Sequence, residues 1–304
     1  MQVFPDYYKK FKCIASACRH NCCIGWEIDI DEQTLAYYQR VDGDLGKALK
    51  KHISLEDTPH FVLGEKERCP FLNEQNLCKL IISLGKEHLC SVCAEHPRFH
   101  VTLPDRTESG LGLCCEAAGA LILGQKTPMT LCGACDTQDE IILCRDQLIL
   151  LLQDRTKPIA ARLEDMLHYV GATLPQRSME QWAQLLLSLE RLDDAWAKRL
   201  GTLKSVDTTA FDQHMTWRQS EYEQLAVYFL YRHFASAETA EEIRRRAAFV
   251  AFSVQLLHTL GALQFKTEGD FTFEDQVELA RLFSSEIEYS DENLEIILNG
   301  LACL

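Results

Sequence analysis

The sequence predicts a mainly α-helical protein. An irregular, cysteine-rich N-terminal metal domain with a short β-hairpin (residues 1–136) is expected to pack on a C-terminal helical bundle (residues 137–304). Three observations carry this. Twelve of the fourteen cysteines precede Asp136. They come in short, polar-spaced groups, as soft ligands gathered for a metal do, rather than singly on apolar faces. From Gln138 onward cysteine almost vanishes and apolar residues recur at helical intervals over long segments.

The elements follow in order. Cys13, Cys18, Cys22 and Cys23 lie within eleven residues, in CIASACRHNCC. In WEIDID, Trp26, Ile28 and Ile30 alternate with acidic residues, the pattern of a half-buried extended segment. Asp31 suits the N-cap of a helix through DEQTLAYYQRV, with Leu35, Tyr38 and Val41 at helical spacing and a stop near Gly43. A second helix is expected over residues 45–52 and a strand over 60–63, before the turn at Gly64. Cys69 and Cys78 follow in CPFLNEQNLC, then Cys90 and Cys93 in LCSVCAEHPRF. Pro70 and Pro97 restrict the backbone beside these groups, which helps hold a loop in a ligand's shape. Residues 99–103 read as a second strand pairing with 60–63. Gly110, Gly112 and the Cys114–Cys115 pair lead into an Ala-rich helix over 116–123, a loop ending at Pro128, and the pair Cys132 and Cys135 in CGAC.

In the second half helices are expected at about 138–153, 158–170, 179–200, 220–235, 239–264 and 273–299. Pro158 in a first turn and Gly171, Gly201 and Gly269 near ends supply the punctuation. The start, MQVFPDYYKKFKC, has no apolar core of a secretory signal, and no unbroken apolar run approaches the roughly 20 residues of a membrane span. These features predict a cytoplasmic protein, where thiols stay reduced and a cysteine cluster points to a metal or redox site rather than to disulfides. The net charge of −14 opposes a phosphate backbone, and KKFK and Arg244–Arg246 are too short to make a groove.

Two chemistries compete for the thiols. Cys90 with Cys93, and Cys132 with Cys135, are CxxC pairs that could close a tetrahedral zinc site. An excess of thiols over four, drawn from separated segments, favours a four-thiolate iron–sulfur cluster with the remaining cysteines around it. Adjacent side chains such as Cys22 and Cys23 point apart, and the sequence does not choose the four. His96 reads as a structural histidine beside a proline turn, and His20 as a neighbour of the metal ligands. Cys144 and Cys303 read as core cysteines on apolar faces. Gly110 and Gly112 precede a helix, but the third glycine of GxGxxG falls at Cys115 and no parallel βαβ unit surrounds it. In YFLYRHF, Arg232 and His233 stand among aromatics and are worth naming as site residues, although aromatic stripes are usually core. EIEYSDEN reads as a solvated face.

The segments FKCIASACRHNCCIGWEIDID, CPFLNEQNLC, LCSVCAEHPRF, CCEAAGALIL, YFLYRHF and SSEIEYSDENL together give a chain that resembles the flagellin lysine-N-methylase family. The N-terminal part of that family is similar to a wider group of cysteine-rich zinc- or iron-chelating domains. The resemblance implies a cluster of the four-iron type, [4Fe-4S], held by a subset of Cys13, Cys18, Cys22, Cys23, Cys69, Cys78, Cys90, Cys93 and Cys115. It also implies a protein-lysine methyltransferase that uses S-adenosylmethionine and acts on flagellin. Methyl transfer needs a neutral lysine, and no residue can be assigned as its base from sequence. The first thiol group lacks the CxxxCxxC of radical S-adenosylmethionine enzymes, so radical chemistry is not implied. The alternatives are a non-enzymatic iron–sulfur or zinc protein with a structural or sensing role, and an electron-transfer protein.

Overall fold

The computed structural model describes residues 1–133 and 136–302. Cys135 of the CGAC pair and Cys303 lie outside the described residues. The chain forms two compact units, Lys12–Phe99 and a larger one made of Met1–Phe11 with His100–Leu304. The composition change at residue 136 falls inside the larger unit.

The smaller unit is built from short helices and loops tied by single bridges. Its helices are Glu32–Tyr38, Gly43–His52, Lys79–Leu84 and Ser91–Glu95. Asp31 caps the first by accepting from the Thr34 amide at 2.9 Å, as its position predicts. WEIDID is extended as expected: Ile28 and Ile30 are buried, and the Ile30 amide donates to the Pro59 carbonyl at 2.7 Å. A short hairpin forms, but not between the expected strands, 60–63 and 99–103. His60–Phe61 pairs antiparallel with Ile53–Ser54, while Arg98–Thr102 is an edge strand of a different, four-stranded sheet. The reason is local, because Ile53 follows directly on a helix and closes the shorter loop, whereas joining 60–63 to 99–103 requires a much longer closure. The core gathers Ile28, Ile30, Tyr38, Leu49, Phe61, Phe71, Leu72 and Leu80 around Cys69 and Cys90.

The strands of the four-stranded sheet run in the order Arg98–Thr102, Thr107–Leu111, Gln2–Pro5, Leu131–Gly133. Gln2–Pro5 is parallel to Thr107–Leu111 and antiparallel to Leu131–Gly133. Gly133 has φ +107°, and a Cβ there would meet the Gln2 carbonyl oxygen at 2.1 Å, so only glycine lets this edge pair so closely.

The helical part centres on Gln219–His233, buried continuously from Glu221 to Tyr231. It packs against Glu116–Leu123, Glu140–Leu152 and Ala240–Glu268. A helix enclosed on all sides loses the polar stripe of a surface helix, and its charged residues must then be paired. Glu223 accordingly accepts from Arg155 Nε at 2.9 Å and from Arg162 Nη1 at 2.7 Å. Ala240–Glu268 starts on a Thr239–Glu242 capping box. It is long and apolar enough to cross a membrane, but 83% of its most apolar window is buried inside the protein. Two expected helices are divided. Residues 179–200 split into Met179–Leu187 and Asp194–Leu200, and residues 273–299 split into Phe273–Phe283, a π-helical turn at Ser284–Glu288, and Asp291–Gly300.

Candidate functional site

Thiols collect at the small unit's core. Cys69 and Cys90 are buried, and Cys23, Cys78 and Cys93 pack against the same core. They arrive from separate loops that the backbone fixes directly: the Cys69 amide donates to the Cys23 carbonyl at 2.9 Å, and Leu72 bridges Cys78. The Cys93 amide donates to the Cys90 carbonyl at 3.0 Å in the first turn of the Ser91–Glu95 helix.

Four of the thiols hydrogen-bond in pairs. Contrary to the expectation that Cys22 and Cys23 point apart, the two side chains hydrogen-bond to each other, which brings Cys22 down to about 7 and pushes Cys23 up. Cys93 does the same for Cys90, lowering Cys90 and raising itself. Burial pushes the Cys69 thiol up to about 11. Among the described residues, no three His, Cys, Asp or Glu side chains converge closely enough to hold a metal ion as they stand. The donor chemistry nevertheless fits a thiolate-bound metal: soft sulfur on one core, with protons that ligation would release.

The other sequence candidates are dispersed. Cys13 is exposed and accepts from the Ala15 amide at 3.4 Å, and Cys18 donates to the His20 carbonyl at 3.2 Å. His96 stacks edge-on against Trp26 with centroids 5.3 Å apart, and burial pulls its imidazole down to about 4. Cys115 belongs to the larger unit, where it precedes the Glu116–Leu123 helix. Cys144 is half-exposed rather than fully in the core.

The larger unit holds a second constellation, only partly visible in the sequence. Tyr228, Arg232 and His233 lie on the central helix, and Glu288 closes the π-helical turn. His233 Nε2 lies 2.6 Å from Glu288 Oε1 and Tyr228 Oη donates to Oε2 at 3.0 Å, while Arg232 Nε is 3.3 Å from Oε1. Tyr228 Oη accepts in turn from Arg232 Nη1 at 3.0 Å and from the Leu113 amide at 3.1 Å. The guanidinium also stacks 4.8 Å from the Tyr289 ring centre, and Tyr289 donates to Cys114.

Burial would raise the Glu288 carboxyl, but the Arg232 charge and the His233 hydrogen bond outweigh it and hold the group low. Burial lowers His233 despite that carboxylate, and pushes Cys114 up to about 12. The cluster therefore carries one cation and one anion.

EIEYSDEN is thus not a solvated face: Glu286 and Glu288 are 1% and 5% exposed. The extra residue of the π turn moves these side chains off the periodicity of an α-helix, so charge spacing misreports their direction. Nor is the glycine turn a phosphate cradle. A Cβ on Gly112 would lie 2.3 Å from Tyr289 Oη and 3.0 Å from Arg232 Nη1, so the protein's own side chains fill that space. Arg232 and His233 among the aromatics of YFLYRHF were the available signal, whereas Glu288 lay in a charge run that reads as a solvated face.

Fold and site together define a mainly helical protein with a thiol-rich small unit and a buried charged cluster in its helical unit. Residues 164–302 match the family described as the FliB lysine N-methylase C-terminal domain. A lysine-N-methylase of Salmonella typhimurium is 31% identical over 134 residues, covering 42% of this chain and 33% of that protein. The flagellar biosynthetic protein FliU of Salmonella muenchen is 30% identical over 134 residues, covering 42% of this chain and 79% of FliU. The match thus spans about a third of the Salmonella typhimurium lysine-N-methylase and most of FliU. No solved structure matches the chain. The chain belongs to the flagellin lysine N-methylase family.

Proposed function

We propose that this chain is a protein-lysine N-methyltransferase acting on flagellin with S-adenosylmethionine as donor, and that its small unit carries a thiolate-bound iron–sulfur cluster. The observation that carries the enzyme reading is the match of residues 164–302 to the lysine N-methylase C-terminal domain. The metal reading is supported by Cys23, Cys69, Cys78, Cys90 and Cys93 on one core, with Cys22 beside them. These thiolates would hold the group, which when bound ties distant loops together and contributes folding free energy. The chain's own part is to keep the thiols on that core and to present an acceptor amine in its neutral form.

The test is anaerobic purification with iron, sulfide and zinc analysis, followed by methyl transfer to flagellin followed by mass spectrometry. Matched iron and sulfide with methylated lysine support both parts; stoichiometric zinc without transfer overturns both. Cys144→Ser should keep its metal, whereas Cys69→Ala and Cys90→Ala should lose it. One observation favours a second reading, a metal protein without enzymatic activity: the thiol core lies wholly outside the matched segment. Metal retention with no methyl transfer would select it.

A further inference from the structure

The thiols at and beside the small unit's core outnumber the four that a tetrahedral metal takes, and the Ser91–Glu95 turn holds two of them in a distinct relation. Cys90 stands at its N-cap and Cys93 one turn on. The Cys93 amide donates to the Cys90 carbonyl at 3.0 Å and the Ala94 amide to the same oxygen at 2.9 Å. A turn closed in this way keeps the two Cα atoms within about 7 Å, and the side chains hydrogen-bond thiol to thiol. Both thiols are free. Disulfides join Cα atoms roughly 4.4–6.8 Å apart, so this pair can close with little backbone movement. Cys22 and Cys23 also hydrogen-bond, but chain neighbours have Cα atoms about 3.8 Å apart, below that range. Access to the pair is graded. Ser91, Val92, Ala94 and Glu95 are exposed and Cys93 is half-buried, whereas Cys90 is fully enclosed. The Cys93 thiol lies within electrostatic reach of Cys23 and Cys69, and Cys69 within reach of Cys78 and Cys90.

We propose that Cys90 and Cys93 are a redox gate on the metal site: as thiolates they are two of its ligands, and as a disulfide they close it to metal. The inference rests on the metal half of the proposed function and names how that site is regulated. The oxidant is a low-molecular-weight disulfide. The Cys93 thiolate, which solvent reaches, attacks it; a sulfur–sulfur bond to Cys93 forms and one half of the oxidant leaves as a thiolate. The Cys90 thiolate then attacks the Cys93 sulfur from within the protein, and the other half leaves. Two cysteine thiols are oxidised, the small disulfide is reduced to two thiols, and the protons lost by the cysteines go to the leaving thiolates. What remains for a metal is the Cys22–Cys23 pair, Cys69 and Cys78, three positions of the chain where a four-thiolate site draws on four. Bound metal has the converse effect, since ligation occupies the sulfur lone pairs that would attack the oxidant.

The experiment uses the full chain, stripped of metal by a chelator under reducing conditions, desalted, and exposed anaerobically to oxidised glutathione. Disulfides are mapped by peptide mass spectrometry, and uptake of zinc ion, the metal probe, is read by native mass spectrometry. The first intramolecular bond should be Cys90–Cys93. The fraction that carries it should lose zinc uptake and regain it fully on reduction with dithiothreitol. Zinc-loaded protein should stay reduced over the time that converts the metal-free protein. Cys90→Ser should stop at the first step and hold glutathione on Cys93, whereas Cys93→Ser should leave Cys90 unmodified. Should either variant fail to fold, the wild-type bond map and zinc uptake decide alone. Absence of the Cys90–Cys93 bond, or undiminished zinc uptake by the fraction that carries it, overturns the gate and leaves the metal reading standing. Reduced protein that holds no metal as purified and takes up no zinc overturns the metal reading, and the gate with it.

Discussion

Buried charge is where single residues matter most in this protein. Glu223 is 1% exposed and balances Arg162, itself 4% exposed, and the half-exposed Arg155. Glu223→Gln keeps the shape and removes the charge, stranding Arg162 in the core. Removing one partner of a buried pair costs about 3–5 kcal/mol, and the exposure of Arg155 places this case at the lower end. A urea titration should show a lower midpoint with an unchanged slope. Asp31 is half-buried and works through hydrogen bonds instead. Against a desolvation that raises its carboxyl, hydrogen bonds from Ser91 and Thr34 bring it down to about 2. A carboxylate with a depressed folded pKa stabilises above its unfolded value and loses that contribution as pH falls through the folded one. Asp31→Asn should therefore be less stable than wild type at neutral pH, and the difference should close between about pH 4 and pH 2, measured by thermal midpoints across that window.

At the scale of elements, the turn between Thr107–Leu111 and Glu116–Leu123 depends on the absence of a side chain. Gly112→Ala would set a methyl group against the Tyr289 hydroxyl and Arg232, groups already fixed by their own hydrogen bonds. Overpacking of this kind costs about 1–3 kcal/mol, and calorimetry should show the loss together with an altered near-ultraviolet tyrosine signal. How far the sequence could be read depends on the same distinction between local and imposed structure. The sequence placed the Glu116–Leu123 and Ile159–Val170 helices to within a residue of their ends, the first by its Ala-rich run and the second by Pro158 before it and a left-handed Gly171 after it. It missed Gln2–Pro5, whose partner strand begins at Thr107 and leaves no local mark. It ran Phe273 through to residue 299 as one helix, because apolar spacing says nothing of an inserted π turn. In the candidate metal site the thiol groups were visible by spacing, whereas the convergence of Cys23, Cys69, Cys78, Cys90 and Cys93 depends on tertiary packing. For the cluster around Glu288, Arg232 and His233 could be named, but their carboxylate was read as surface.

At the scale of the whole molecule, two units with separate cores imply two cooperative transitions of unequal size. The larger unit buries a continuous aromatic and aliphatic core, with Phe229 centred 5.3 Å from Phe283 and 6.0 Å from Phe249. The smaller one spans 88 residues and commits five cysteines to its core or to the layer packed against it. Cysteine is a small hydrophobe, and a thiol contributes less buried apolar area than the leucine or phenylalanine that could stand there. A core built this way is short of apolar stabilisation and gains disproportionately from anything that joins its thiols. Removal of bound metal by a chelator should therefore speed amide hydrogen exchange across residues 12–99, with Ile28, Ile30 and Phe61 losing protection. The amides of 219–233 and 247–264 should exchange at unchanged rates. Equal loss of protection in both would mean that the thiol core governs the folding of the entire chain. No change in either would mean that apolar packing alone holds the small unit, leaving its cysteines without a stabilising role.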